Sequence, residues 1–200
     1  MGKVIASITV SVDGYVTGPD DRPGQGLGVG GERLHYWVMG GPWTYDGEHT
    51  PGEVAGADKD FFEELVAEIG SGLIGRGMYD AAGAWGDTNP FGGPVVVLTH
   101  GLDDAPPVES GFTFVPDYAT AIARARQEAG DKAVSVGGGA HVIRQALAAG
   151  DVDELVLSTA PVVLGAGKRL FEGFEEDLDL EILRVHASPL ATHVRYAVRH

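Results

Sequence analysis

Cysteine is absent from all 200 residues. That excludes disulfides, thiolate nucleophiles, iron–sulfur clusters and cysteine-based zinc sites, and it fits a reducing cytoplasm. Basic charge is scarce: 14 Lys and Arg face 29 Asp and Glu, for a formal net charge of -15. With no basic stripe to neutralise a phosphate backbone, nucleic acid is not an expected partner, and anionic membranes are repelled. A small anionic ligand stays open, because backbone amides bind phosphate locally whatever the global charge. Long hydrophobic runs are missing too, and none approaches the roughly eighteen residues of a membrane span. The start, Met1 to Val10, has one basic residue and no cleavage site, so it does not read as a signal peptide. The seven histidines show no metal-ligand spacing, so no metal is expected. Gly-x-Ser-x-Gly and the phosphate-binding P-loop are both absent.

With 44% hydrophobic residues, the chain can bury a sizeable core, and its length suits one domain over residues 1–200. Val4 to Val12 is apolar and β-branched nearly throughout, as a strand buried on both faces should be. Residues 19–31 and 40–57 are rich in glycine and turn formers and read as loops, with a short helix, Glu32 to Met39, between them. Asp58 to Ile69 reads as a helix with Phe61, Phe62, Leu65, Val66 and Ile69 on its inner face. Strands are expected at Leu73–Ile74, Pro94–Thr99, Phe112–Val115, Ala133–Val136 and Asp153–Thr159, with helices at Tyr118–Glu128 and Ala140–Ala149. This alternation predicts an α/β fold of three layers, α/β/α, around a mostly parallel sheet. Leu180–Ala187 and Thr192–Val198 form a C-terminal antiparallel hairpin that makes the sheet mixed.

The strongest local signal is Ser135-Val136-Gly137-Gly138-Gly139-Ala140-His141-Val142, where a strand ends, glycines turn the chain and a helix begins. Glycine lets backbone approach a phosphate, and a helix N-terminus offers free amides with positive partial charge. An empty strand–helix turn has the same sequence. Ile74-Gly75-Arg76-Gly77-Met78 repeats the pattern with a cation. Arg76 either grips a pyrophosphate with its fork or balances the acidic helix before it. Thr99-His100 ends a strand, where open α/β sheets bind ligands; the pair serves a ribose or phosphate, or simply caps the strand. Tyr15, Trp37, Trp43 and Trp85 sit in or beside loops, where they stack on a flat substrate or pack the core. Lys168 and Arg169 either hold an anionic substrate or face solvent. Asp13 is a proton relay or an Asp-Gly turn residue satisfying its own backbone.

These segments, with Ser11-Val12-Asp13-Gly14-Tyr15-Val16 and Pro161 to Phe171, make the chain resemble the dihydrofolate reductase superfamily. The match lies in its branch shared with the C-terminal reductase domain of bacterial riboflavin biosynthesis, and it runs over essentially the whole chain. The resemblance implies a dihydrofolate-reductase-like fold and an NADPH cofactor. It implies that Gly75 and Arg76 sit at the helix that meets the phosphates, with Met78 nearby, and that Thr99 and His100 lie at the adenosine ribose and its 2′-phosphate. Gly137, Gly138, Gly139, Ala140, His141 and Val142 would wrap the pyrophosphate, and Thr9 and Val16 would line the nicotinamide carboxamide. The chain departs from dihydrofolate reductases at the helix after the first loop, where their acidic residue has only Glu32 to answer it. It also has Gly101 where family members often carry an arginine.

The expected function is an NADPH-dependent reductase acting on a small C=N or C=O substrate, pterin-like or ribosylaminopyrimidine-like. Asp13 is the candidate catalytic residue, and Tyr15, Trp37, Trp85 and Lys168 are the candidate substrate contacts. A non-catalytic NADP(H)-binding module of the same fold is the alternative. A homodimer is expected from the relatives.

Overall fold

The computed structural model describes residues 2–199. Ten strands and four helices follow in the order β1 (Val4–Ser11), β2 (Tyr15–Thr17), α1 (Gly56–Glu68), β3 (Ile69–Gly75), α2 (Arg76–Ala81), β4 (Val95–Leu98), β5 (Phe112–Val115), α3 (Tyr118–Ala129), β6 (Ala133–Gly138), α4 (Ala140–Ala148), β7 (Glu154–Ala160), β8 (Lys168–Arg169), β9 (Asp179–Ala187) and β10 (Thr192–Arg199). A 3₁₀ turn, Gly31–His35, lies between β2 and α1. Eight strands form one sheet in the order β5-β4-β3-β6-β1-β7-β10-β9, while β2 and β8 make a separate two-stranded ribbon. Pairing is parallel from β5 through β7 and turns antiparallel where β10 joins β7 and β9.

The sheet is covered on both faces, so the architecture is three-layered α/β/α. Ala6, Leu73, Val96, Val136 and Leu155 pack on one face with Ala121, Ile122 and Ala125 of α3 and Ile143 and Leu147 of α4. On the other face Ile5 and Val156 meet Trp37 and Phe61 and Leu65 of α1, and Ile74, Val95 and Val97 meet Tyr79 of α2. Alternate residues of β3 and β4 thus serve opposite layers, as the strand period requires.

The face under α1 carries a buried polar row. His193 Nε2 lies 2.9 Å from Asp58 Oδ1, and its Nδ1 lies 2.7 Å from Ser158 Oγ. Phe61 stacks on the imidazole with centroids 4.0 Å apart. Burial lowers the His193 pKa, and Asp58 pulls the other way. The row joins α1 to β7 and β10, so its polar atoms satisfy one another inside the core.

Three expectations are corrected. Phe62 and Val66 are 39% and 46% exposed, because α1 turns Asp58, Phe61 and Leu65 inward instead. The strand expected at Leu73–Ile74 begins at Ile69, directly after α1, and Ser71 Oγ donates to the Ala125 carbonyl of α3 at 2.7 Å. The Gly137-Gly138-Gly139 segment is not a turn throughout, since β6 continues through Gly138 and only Gly139 precedes the helix.

Candidate active site

In a parallel sheet every strand delivers its C-terminal end to the same edge. Here β1, β3, β4 and β6 open together onto a cleft of about 1260 Å³. Thr9, Val16, Gly75, Arg76, Met78, Thr99, His100 and the run Gly137 to Val142 all line it. The glycines shape this wall. Gly138 has φ 137°, and a Cβ there would lie 2.8 Å from Met78 Sδ, so no other residue fits without strain. Gly77, Gly101 and Gly139 have nothing within 4 Å of a Cβ, which leaves open room on the wall. A Cβ on Gly75 would stand 3.8 Å from the Gly139 nitrogen, so the ends of β3 and β6 lie side by side. The peptide between Gly138 and Gly139 is cis.

Gly139 is the N-cap of α4, and no side chain caps it. The first amides of α4 therefore face the cleft without an intrachain side-chain acceptor, and a phosphate group fits this combination of free amides and glycine backbone.

Arg76 lines the same wall but has partners of its own. Its guanidinium donates to Asp104 at 3.0 and 2.5 Å and to Asp80 at 2.6 Å, and it lies 4.9 Å from the Phe114 ring centroid. These carboxylates, Asp104 first, hold the guanidinium protonated well above its ordinary range. Thr99 Oγ1 accepts from the Gly101 amide at 3.2 Å and donates to the Gly101 carbonyl at 3.1 Å, so it shapes the turn after β4. His100 is exposed at the rim.

The opposite wall comes from loops. Trp85 and Lys168 line the cleft, as does Trp43, but Tyr15 and Trp37 do not. Trp37 is 7% exposed and packs in the core, where its Nε1 donates to Thr9 Oγ1 at 3.0 Å. It acts on the cleft only by fixing that hydroxyl. Tyr15 is buried, with its hydroxyl 3.3 Å from the Gly165 carbonyl and Arg169 over its ring. Lys168 is already paired with Asp21 at 2.5 Å. Asp13 lies outside the lining. It accepts from Ser11 Oγ at 2.6 Å and from the Leu164 and Gly165 amides at 3.1 and 2.8 Å, and these bonds, Ser11 first, lower its pKa to about 2. Tied in this way to the loop, Asp13 is a turn-holding carboxylate. Asp13, Tyr15 and Trp37, expected at the site, thus lie outside the lining of this cleft.

A family model described as the RibD C-terminal domain matches residues 2–194. The chain belongs to the RibD C-terminal domain family. Its fold is similar to that of a putative riboflavin biosynthesis protein from Shewanella sp. PV-4, with TM-score 0.71 and 21% identity over 100% of both chains. It is similar to a diaminohydroxyphosphoribosylaminopyrimidine deaminase/5-amino-6-(5-phosphoribosylamino)uracil reductase from Thermotoga maritima, with TM-score 0.62 and 14% identity, covering 99% of this chain and 57% of that one. It is also similar to a dihydrofolate reductase from Enterococcus faecalis complexed with NADP(H), with TM-score 0.58 and 15% identity, covering 100% of this chain and 98% of that one. A search of the curated proteins found no match.

In this RibD C-terminal domain the sequence reading missed His35, which lines the cleft at the end of the 3₁₀ turn. Burial lowers its pKa to about 4, so the imidazole is neutral at pH 7. Glu32, the acidic residue of the same turn, is not part of the lining. Thr17 also lines the cleft, and its Oγ1, like Trp43 Nε1, is buried without a hydrogen-bond partner among the described residues. Such atoms cost stability unless a ligand or water satisfies them. The apolar pair Leu34 and Trp37, three apart and both buried, was the available signal, because it anchors the turn that presents His35.

Proposed function

We propose that this chain is an NADPH-dependent reductase whose substrate is a small, flat heterocycle with a reducible C=N or C=O bond. One observation carries the reading. Segments far apart in sequence, from Thr9 to Val142, line one cleft, and this supports the reading. The uncapped α4 N-terminus suits the pyrophosphate, with Gly75, Gly138 and Gly139 allowing close approach. Bound NADPH supplies the hydride. The names of two structural relatives, a uracil reductase and a dihydrofolate reductase complexed with NADP(H), support both the reaction class and the cofactor.

The chain's own part is positioning and exclusion of water. Thr9, held by Trp37, presents a fixed hydroxyl at the floor of the cleft. Trp85 and Trp43 line the cleft where a planar substrate would lie. Neutral His35 offers one ring N–H and one acceptor nitrogen. No dedicated carboxylic acid is required if water delivers the proton.

The test is consumption of NADPH, followed at its nicotinamide absorbance, across a panel of pterins, deaminated pyrimidine ribosides and simple imines. Thermal melts with NADPH, NADH and no nucleotide run beside it, because a ligand that binds only the folded state raises its apparent stability. Turnover of one panel member with a raised melting point supports the reading, and no shift with either nucleotide refutes it. A shift without turnover favours the second reading, a non-catalytic NADP(H)-binding module. The hydrogen bonds that tie Asp13 to the Leu164–Gly165 loop, outside the cleft, are the observation that favours that alternative.

We also propose a homodimer. Register pairs Val185 with Val194, Ile182 with Tyr196 and Leu180 with Val198, so these side chains share the α3/α4 face of the sheet. Leu180, Ile182 and Val185 are 41%, 62% and 53% exposed on edge strand β9, an apolar surface that a second copy would cover.

A further inference from the structure

Arg76 leaves β3 at the cleft and sends its guanidinium away from α4. The ring under it, Phe114, belongs to β5, two strands beyond β3 on the side opposite β6. There the chain itself fills the fork. Nη1 and Nη2 donate to the two oxygens of Asp104 at 3.0 and 2.5 Å, and Nε donates to Asp80 at 2.6 Å. A carboxylate on both terminal nitrogens occupies the bidentate geometry that phosphate oxygens also take. The two acids differ in how they are tethered. Asp80 lies four residues along from Arg76 and engages Nε alone. Asp104 comes from the loop after β4, and its side chain is 62% exposed against 28% for Arg76. The Asp104 side of the fork is therefore the side a ligand can take over.

The location says which phosphate that is. The uncapped amides of α4 follow β6, whereas the Arg76 fork lies over β5, across β3 and β4. One pyrophosphate seated on α4 does not also occupy the far side of two strands. A dinucleotide with a separate phosphate on its adenosine ribose carries a second anion for that place, and its non-phosphorylated counterpart does not. We propose that Asp104 is a specificity-determining residue: it fills the guanidinium fork of Arg76 and must be displaced by the 2′-phosphate of NADPH. This deepens the dinucleotide reading above and rests on it. Displacing a carboxylate lowers the preference for NADPH over NADH below what a free arginine would give.

The test is direct binding, followed by quenching of tryptophan fluorescence, for NADPH and NADH and for the fragments 2′,5′-ADP and 5′-AMP. D104N is expected to tighten NADPH and 2′,5′-ADP about fivefold, the scale of a half-exposed ion pair, and to leave NADH and 5′-AMP within about twofold. R76Q is expected to erase the difference between members of each pair. D104S serves as a second variant, and circular dichroism melts confirm that each protein is folded. An unchanged NADPH-to-NADH affinity ratio in both Asp104 variants overturns the proposal. So does selective weakening of NADH, which would put the carboxylate on a ribose hydroxyl. Wild-type protein that binds neither dinucleotide overturns the dinucleotide reading as well, while a ratio that does not move overturns the Asp104 role alone.

Discussion

The two walls of the cleft are built by different means. The wall of Gly75, Thr99 and Gly137 to Val142 consists of strand ends and one helix start, held by parallel pairing such as Gly75 with Leu98 and Ile74 with Gly138. The facing wall of Thr17, His35, Trp43 and Lys168 is made largely of loops and short ribbon strands. Single side-chain bonds support it: Tyr45 accepts from the Leu27 amide at 2.8 Å, and Lys168 pairs with Asp21. Backbone pairing positions one wall whatever its side chains, so it suits an invariant cofactor. The other wall depends on each side chain in turn, so it suits a substrate whose identity loops can vary. If that division holds, damage to the first wall acts through the backbone, and damage to the second acts through individual polar groups.

The hardest blow to the backbone wall is Gly138→Ala. At φ 137° the new Cβ brings backbone strain, and Met78 Sδ, 2.8 Å from it, must move aside. We expect a loss of about 1–3 kcal/mol in urea unfolding and NADPH affinity at least tenfold weaker. Gly101→Ala on the same wall has open space and no positive φ, and should change stability by less than about 0.5 kcal/mol. Equal effects of the two substitutions would break the backbone argument.

The second expectation concerns pH and the loop wall. The folded pKa of His35, about 4, lies below the ordinary value of 6.5. The unfolded chain therefore takes up its proton first, so the stability His35 contributes is complete above pH 6.5 and is lost as pH falls toward 4. The loss should be about 2–3 kcal/mol over that window in cofactor-free protein. His193, also lowered by burial, acts in the same direction. Urea midpoints measured from pH 7 to 4.5 check this, and H35N should flatten the slope. A slope identical in H35N would show that the imidazole is solvated.

The smallest effect joins the two walls. Trp37→Phe keeps the ring in the core but deletes the donor to Thr9 Oγ1. A cost of about 1–2 kcal/mol is expected, together with weaker NADPH binding, since Thr9 lines the cleft. Lost stability with unchanged binding would make the bond purely structural.

Most of the fold was legible, because hydrophobic period and turn residues are local properties. The β5 bounds match expectation, and those of α3, α4 and β4 differ by about one residue. The strand-end wall of the cleft was legible for the same reason, since glycine at a strand end carries its meaning in the chain itself. The loop wall was not. Trp37 and Trp85 look alike as loop aromatics, yet one enters the core beside Phe61, while the other stacks on Phe112 and still lines the cleft. Lys168 could be named, but its Asp21 partner lies 147 residues away. Nothing near Ser158 in the sequence announces that His193 and Asp58 will complete a buried polar row.

By itself the sequence determined the layers, the direction of the strands and the edge at which glycine turns would gather, because each follows from short-range pattern and the uniform sense of parallel crossovers. Only the tertiary structure decided which polar groups remain available there. Asp13 is consumed by the Leu164–Gly165 turn, Arg76 is held by Asp104, and His35 stands neutral in the wall. A side chain's charge and hydrogen bonds depend on what long-range packing sets beside it, and no local pattern carries that information.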